Sequence, residues 1–160
     1  MARYFIDISF DGTNYHGWQI QPGAITVQEK LQEAISVLLR YNVEITGAGR
    51  TDAGVHAKKM IAHFDYPEEL DCPHLAYKLN RFLPHDIVIN NVYPVPDDMH
   101  ARFSALTRTY YYHVALRKDP FMVNYSYRLP FFVDFGLMND AAAHLLQVDN
   151  IVQGDESRMD

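Results

Sequence analysis

The densest concentration of chemistry-bearing residues is the run Gly47-Ala48-Gly49-Arg50-Thr51-Asp52-Ala53-Gly54-Val55-His56-Ala57. One guanidinium and one carboxylate stand two residues apart among glycines, alanines and a threonine. Small residues let a backbone approach a ligand closely, and glycine permits tight turns. In an extended segment, residues two apart point to the same side, so Arg50 and Asp52 would face the same space. A carboxylate kept ionised by a neighbouring cation can act as a nucleophile or a general base. The same composition also describes a surface turn closed by an Arg–Asp ion pair, and the local residues leave both readings open. Phosphate loops are excluded. The spacing is not G-x-G-x-x-G, and no Gly-Lys-Ser/Thr follows.

Other candidates carry less. The chain has eight histidines and one cysteine, Cys72, with no H-E-x-x-H pair and no Cys cluster, so no metal centre is expected. Tyr15 and Trp18 could stack on a nucleobase or close their loop over the core, and the second use is the commoner one. Arg102 and Arg108 are candidate phosphate contacts or ordinary surface arginines. Lys58 and Lys59 read as a solvated strand end, and His144 as amphipathic filling in an Ala/Leu-rich helix.

These residues need elements to hold them. Tyr4, Ile6, Ile8 and Phe10 alternate, which predicts a strand over 3–10. A Gly-containing loop runs from Asp11 to Gly23. Thr26, with Glu29 three residues on, reads as a capping box. It opens a helix with an apolar stripe of Val27, Leu31, Ala34, Ile35 and Leu38, ending near Arg40. Strands follow at 43–48 and 59–65. Pro73 suits the first turn of a helix reaching Phe82, and 87–92 is a fourth strand. The order β-α-β-β-α-β is the ferredoxin-like split unit of an α/β (α+β) fold. A further strand is expected at 108–116, a tyrosine-bearing loop at 117–130, and a helix from the cap Asp134 to Gln147. Residues 1–148 are read as one domain carrying the 47–57 segment, and 149–160 as a disordered tail without periodicity.

Composition sets the class. The 160 residues are 48% hydrophobic and 21% charged, with 13% aromatics, enough for one domain with a real core. A lone cysteine excludes an internal disulfide framework and fits a reducing compartment. No apolar run approaches the roughly 18 residues of a membrane span, and the N-terminus opens directly on a strand pattern. A cytoplasmic protein without a signal peptide is expected. The net charge of −6 speaks against a nucleic-acid partner, which calls for clustered cations. The acid is uneven, however. Residues 149–160 hold four acids against Arg158, so without them the sum is −3.

Read together, the blocks resemble the tRNA pseudouridine synthase A family. Phe10-Asp11-Gly12-Thr13-Asn14-Tyr15-His16-Gly17-Trp18-Gln19-Ile20-Gln21-Pro22 is similar to that family's first motif, and Thr26-Val27-Gln28 with Leu31 to the start of its first helix. Gly49-Arg50-Thr51-Asp52-Ala53-Gly54-Val55-His56-Ala57 matches its catalytic motif without a gap. Asn80-Arg81-Phe82-Leu83-Pro84-His85-Asp86-Ile87 resembles the next block. His100-Ala101-Arg102-Phe103-Ser104-Ala105 with Arg108, Tyr110 and Tyr112 resembles the one after. The resemblance implies that Asp52 is the essential carboxylate and that Arg50 helps displace the target base. It also implies that Tyr110 packs against the target uridine, with Arg102 and Arg108 as substrate contacts. No metal or organic cofactor is implied. The substrate would be the anticodon stem-loop of tRNA, with uridine isomerised to pseudouridine.

The resemblance stops near Leu146, where the family continues into a second half that adds a wall to the cleft and a basic partner for the aspartate. That half is expected to be missing here, and a homodimer is expected because an uncovered sheet edge and apolar faces invite self-association. Two other readings stay open: a non-catalytic RNA-binding fragment of the same fold, and a ferredoxin-like protein-interaction module.

Overall fold

In the first strand, β1 (Ala2–Phe10), Tyr4, Ile6, Ile8 and Phe10 are buried. The even-numbered face is the core face that the alternation predicts. The computed structural model describes residues 1–147 and divides into two compact units, Met1–Thr109 and Tyr110 onward.

The first unit is built on a four-stranded sheet. β1 lies between β3 (Ala57–Tyr66) and β4 (Ile87–Val95), and β2 (Thr46–Gly47) pairs with the far side of β3. Every pairing is antiparallel. With α1 (Val27–Leu39) and α2 (Cys72–Phe82), the order is the β-α-β-β-α-β unit the sequence predicts. Val27, Leu31, Ala34 and Ile35 from α1 and Leu75 and Leu79 from α2 join Ile6, Ile8, Ala62 and Phe64 in one core.

The helix starts follow from their caps. Thr26 Oγ1 accepts the Glu29 N–H at 3.3 Å, and Asp71 Oδ1 accepts the His74 N–H at 3.0 Å, with Pro73 in the first turn. Asn80, on α2, bonds both backbone groups of Ile89 at 2.8 Å each. Those groups lie on the outer edge of β4, so Asn80 occupies ladder positions that another strand could otherwise take.

The helix-free face of the sheet is polar and aromatic. Arg3 holds Asp65 through two bonds of 2.8 Å and donates a third, of 3.0 Å, to Met99 O. Phe5 meets Tyr93 edge-on. His63 is 6% exposed. Its Nδ1 accepts the Ala101 N–H at 3.2 Å, and the His100 ring packs against it at 4.6 Å. The chain leaving β4 is thereby pinned across this face at residues 99–101.

Two strand expectations are cut short. Of 43–48, only Thr46–Gly47 pairs with β3. Side chains of α1 meet the backbone of the remainder: Ser36 Oγ accepts from Val43 N, Gln32 Oε1 accepts from Ile45 N, and Gln28 Nε2 donates to Ile45 O. Val43 and Ile45 are buried without belonging to a ladder.

The second unit contains the other. Of 108–116, only Val114–Ala115 (β5) is strand, pairing in parallel with Tyr127–Arg128 (β6), which falls inside the expected loop. A nine-residue strand needs an edge of matching length, and a two-stranded ribbon is marginal alone. The third helix, α3 (Phe135–Leu145), is capped by Asp134 through the Gly136 and Leu137 N–H groups. Among the described residues of this unit, none is buried. The tail expected from 149 lies outside the described residues. No helix among the described residues is long and apolar enough to cross a membrane.

His63 makes stability depend on pH. Burial, then the Arg3 charge and His100, push its titration down to about 4, with Asp65 opposing them. The folded protein thus holds His63 neutral, while the unfolded chain protonates near 6.5. Its contribution is present above pH 6.5 and is lost as pH falls toward 4. Urea denaturation should show up to about 3 kcal/mol less stability at pH 4 than at pH 7, from about 1.4 kcal/mol per pH unit of displaced titration. In His63→Asn, whose amide oxygen can accept the same N–H, the part of the slope between pH 4 and 6.5 should flatten. An unchanged slope would assign the acid sensitivity to other groups.

Candidate active site

The Asp52 segment leaves β2 at Ala48, whose N–H donates to Ile61 O at 2.8 Å, and rejoins the sheet at Ala57 in β3. Between them the chain makes one tight turn. Val55 N–H donates to Asp52 O at 3.2 Å, and Gly54 takes φ +77°. A positive φ at the third residue of a four-residue turn is what a type II turn requires, and glycine meets it without strain. Asp52 is the first residue of this turn and is exposed, as is Arg50.

The turn is shaped by the loop after β1. A Cβ on Gly12 would overlap Val55 O, and a Cβ on Gly17, at φ +82°, would overlap Thr51 O. The two backbones are in direct contact there. Trp18 N–H donates to Thr51 O at 3.3 Å, and Gly54 N–H donates to Tyr15 O at 3.2 Å. His56 Nδ1 accepts the Gly12 N–H at 3.1 Å and lies 3.0 Å from Asp11 Oδ1. Behind the contact, the Trp18 indole lies where a Cβ on Gly47 would be and stacks on Phe10. Gly12, Gly17 and Gly47 are therefore required for close approach.

Asp86 anchors the first loop. It accepts the Tyr15 hydroxyl at 2.6 Å and the Asn14 amide at 3.2 Å, and its own carbonyl accepts the Asp11 N–H at 2.9 Å. Burial, together with the bond to Asp86, raises the Tyr15 phenol well above its ordinary titration range. Tyr15 and Trp18 are 6% and 2% exposed, so both rings close the loop over the core and neither offers a face for base stacking. Thr51 Oγ1 is buried without a hydrogen-bond partner. An orphaned hydroxyl costs about 1–3 kcal/mol, which the surrounding contacts must offset.

The sequence-predicted residues are held in different ways. No ion pair joins Arg50 to Asp52 among the described residues, so the closed Arg–Asp turn is not formed. Arg102 is exposed, with its guanidinium 5.9 Å from the Phe103 ring centre. Arg108 is exposed and bonded to backbone, donating to Ala48 O from Nε at 3.2 Å and from Nη2 at 2.9 Å, and to Arg102 O at 2.7 Å. Tyr110 begins the second unit and is 73% exposed. Asp86 and His63 hold the site's surroundings and were not singled out from sequence. A carboxylate following Leu-Pro-His at a strand start gave one local signal for Asp86. Among the described residues, no cluster of three His, Cys, Asp or Glu could hold a metal ion.

A family model described as tRNA pseudouridine synthase matches residues 7–104, which include the first loop, the Asp52 turn and Arg102. The chain belongs to the tRNA pseudouridine synthase family. Curated relatives agree. The chain is 54% identical over 147 residues to tRNA pseudouridine synthase A of Bacteroides thetaiotaomicron, covering 92% of this chain and 55% of that protein. It is 53% identical over 142 residues to the protein of the same name from Parabacteroides distasonis, covering 88% and 56%. With that of Thermoanaerobacter sp. the figures are 41% over 148 residues, covering 91% and 61%. The chain thus spans a little over half the length of these family members.

The interlocked loops give a direct test. Gly17→Ala should cost at least about 3 kcal/mol, because strain at positive φ adds to backbone overlap. Gly23→Ala, at φ +74° with nothing within 4 Å, should cost only the about 1–2 kcal/mol of the left-handed conformation. Urea unfolding followed by Trp18, the one tryptophan, measures both. Equal costs would mean that the Thr51 contact is not rigid.

Proposed function

We propose that this protein isomerises uridine to pseudouridine in the anticodon stem-loop of tRNA, with Asp52 as the catalytic carboxylate. The observation that carries the reading is the presentation of Asp52. A family-matched segment holds this carboxylate exposed at the start of a turn whose backbone is fixed by a second loop. Rigid display of one carboxylate suits attack on a sugar carbon better than it suits a solvated surface turn.

The reaction is balanced without a redox partner. The N1–C1′ bond breaks, uracil turns, C5 bonds to C1′, the C5 proton leaves, and N1 gains a proton. Asp52 either attacks C1′ as a nucleophile or removes the C2′ proton to give a glycal. Arg50, two residues away and exposed, is positioned to support the space left when the base leaves its stack. Tyr110 supplies a flat surface for the detached uracil, and Arg102 contacts phosphate. The greater length of the relatives would supply further walls and a cation for Asp52. The apolar groups exposed in the second unit favour a homodimer, which sedimentation would detect. The protein is placed in the cytoplasm with its tRNA substrate, and no cofactor is assigned.

Asp52→Asn tests the assignment in a chimaera joining residues 1–147 to the remaining length of the Bacteroides thetaiotaomicron relative. Release of tritium from C5-labelled tRNA should be lost, while tRNA affinity changes by less than about tenfold, roughly 1.4 kcal/mol. Activity within a few-fold of the parent would sink the role of Asp52. Tyr110→Ala should weaken tRNA binding by about 1–3 kcal/mol of stacking, while Tyr110→Phe keeps it. Parent-like behaviour of both would leave Tyr110 a structural residue. Salt-dependent tRNA binding by the parent chimaera without turnover would favour a non-catalytic RNA-binding module.

A further inference from the structure

Arg108 reads from sequence as a phosphate contact, but its geometry points elsewhere. Its Nε–Nη2 edge is committed to Ala48 O, at 3.2 and 2.9 Å, and Nη2 also reaches Arg102 O at 2.7 Å. An arginine grips phosphate or carboxylate best with two parallel donors, and here that edge is turned onto the backbone. Ala48 is the last residue bonded to β3 before the Asp52 turn, and Gly49 lies alongside the guanidinium, its Cβ position 3.6 Å from Nε.

The contacts form a closed circuit. Arg108 ties Ala48 to Arg102. The neighbouring Ala101 N–H is held by His63 Nδ1 at 3.2 Å. His63 in β3 stands opposite Thr46 in β2, two residues before Ala48. The 99–104 segment is fixed independently, by Arg3 on Met99 O and by Ser104 bonding both backbone groups of His100. Arg108 thus transmits a rigid anchor to the exit of β2. The Asp52 segment has two glycines and one unpartnered buried hydroxyl, so its conformation must be imposed from outside. The first loop grips it at Thr51 and Gly54, and Arg108 grips it at Ala48.

We propose that Arg108 is a positioning residue, which fixes the catalytic turn by clamping Ala48 O and Arg102 O, and is not a phosphate contact. The catalytic half of this statement rests on the reading of Asp52 above, whereas the clamp does not. Arg108→Lys keeps the charge but loses the planar fork, and Arg108→Met removes the charge.

In the full chain, hydrogen exchange should accelerate at least tenfold in both variants at the amides of Ala48, Trp18 and Gly54, whose acceptors are known. Affinity for tRNA should stay within about threefold, with an unchanged salt slope. In the chimaera, the single-turnover rate should fall about 30-fold or more in both variants, without a matching rise in the tRNA concentration needed for half-saturation. Rescue of rate and affinity by lysine, with a salt slope reduced by about one in the methionine variant, would overturn the proposal in favour of a phosphate contact. Unchanged exchange in both variants would overturn the clamp. If the parent shows no turnover, the reading of Asp52 fails, and the exchange and binding arms still decide the clamp.

Discussion

The site depends on one constraint: two stretches of backbone meet with no side chain between them. At Gly12 against Val55 and at Gly17 against Thr51, the separation is too small for a single added carbon. Hydrogen bonds between the same stretches then become possible, from Trp18 to Thr51 and from Gly54 to Tyr15. The rest of the first unit serves that meeting. Asp86 holds Tyr15, the core holds Trp18 against Gly47, and β1 and β3 deliver the two loops to the same end of the sheet.

Backbone contact is an economical way to display a carboxylate. The residues that shape the turn do so through N–H and carbonyl groups, which leaves Asp52 and Arg50 free to face outward. The cost is borne locally, as a buried threonine hydroxyl without a partner, while the positive φ of the turn falls on Gly54, which adopts it without strain.

Much of this was legible in the sequence because the signals are local. The alternation Tyr4, Ile6, Ile8, Phe10, the caps Thr26 and Asp134, and Pro73 in a first turn each act within a few residues, and each appears as read or within a residue or two. The run around Asp52 stood out by its small residues. What was not legible is non-local. The 43–48 segment has strand composition, but Gln28, Gln32 and Ser36 of α1 take its hydrogen bonds. The tyrosines at 110–112 have strand propensity without a long edge to pair with. Arg108 has the type of a phosphate ligand, and only its carbonyl partners, one of them 60 residues away, show what it holds.

Those long separations bear on how the protein acquires its shape. The contacts that define the Asp52 turn join residues 44 apart, from Gly12 to His56, and 60 apart, from Ala48 to Arg108. Loop closure over such distances is slow, because chain entropy is lost before contacts compensate for it. During synthesis, the turn leaves the ribosome some fifty residues before Arg108 and must wait for it. The helices α1 and α2, whose own hydrogen bonds are local, are the parts able to form early. The Asp52 turn is then among the last elements to set, and its opening is coupled to the first loop instead of being a local fluctuation.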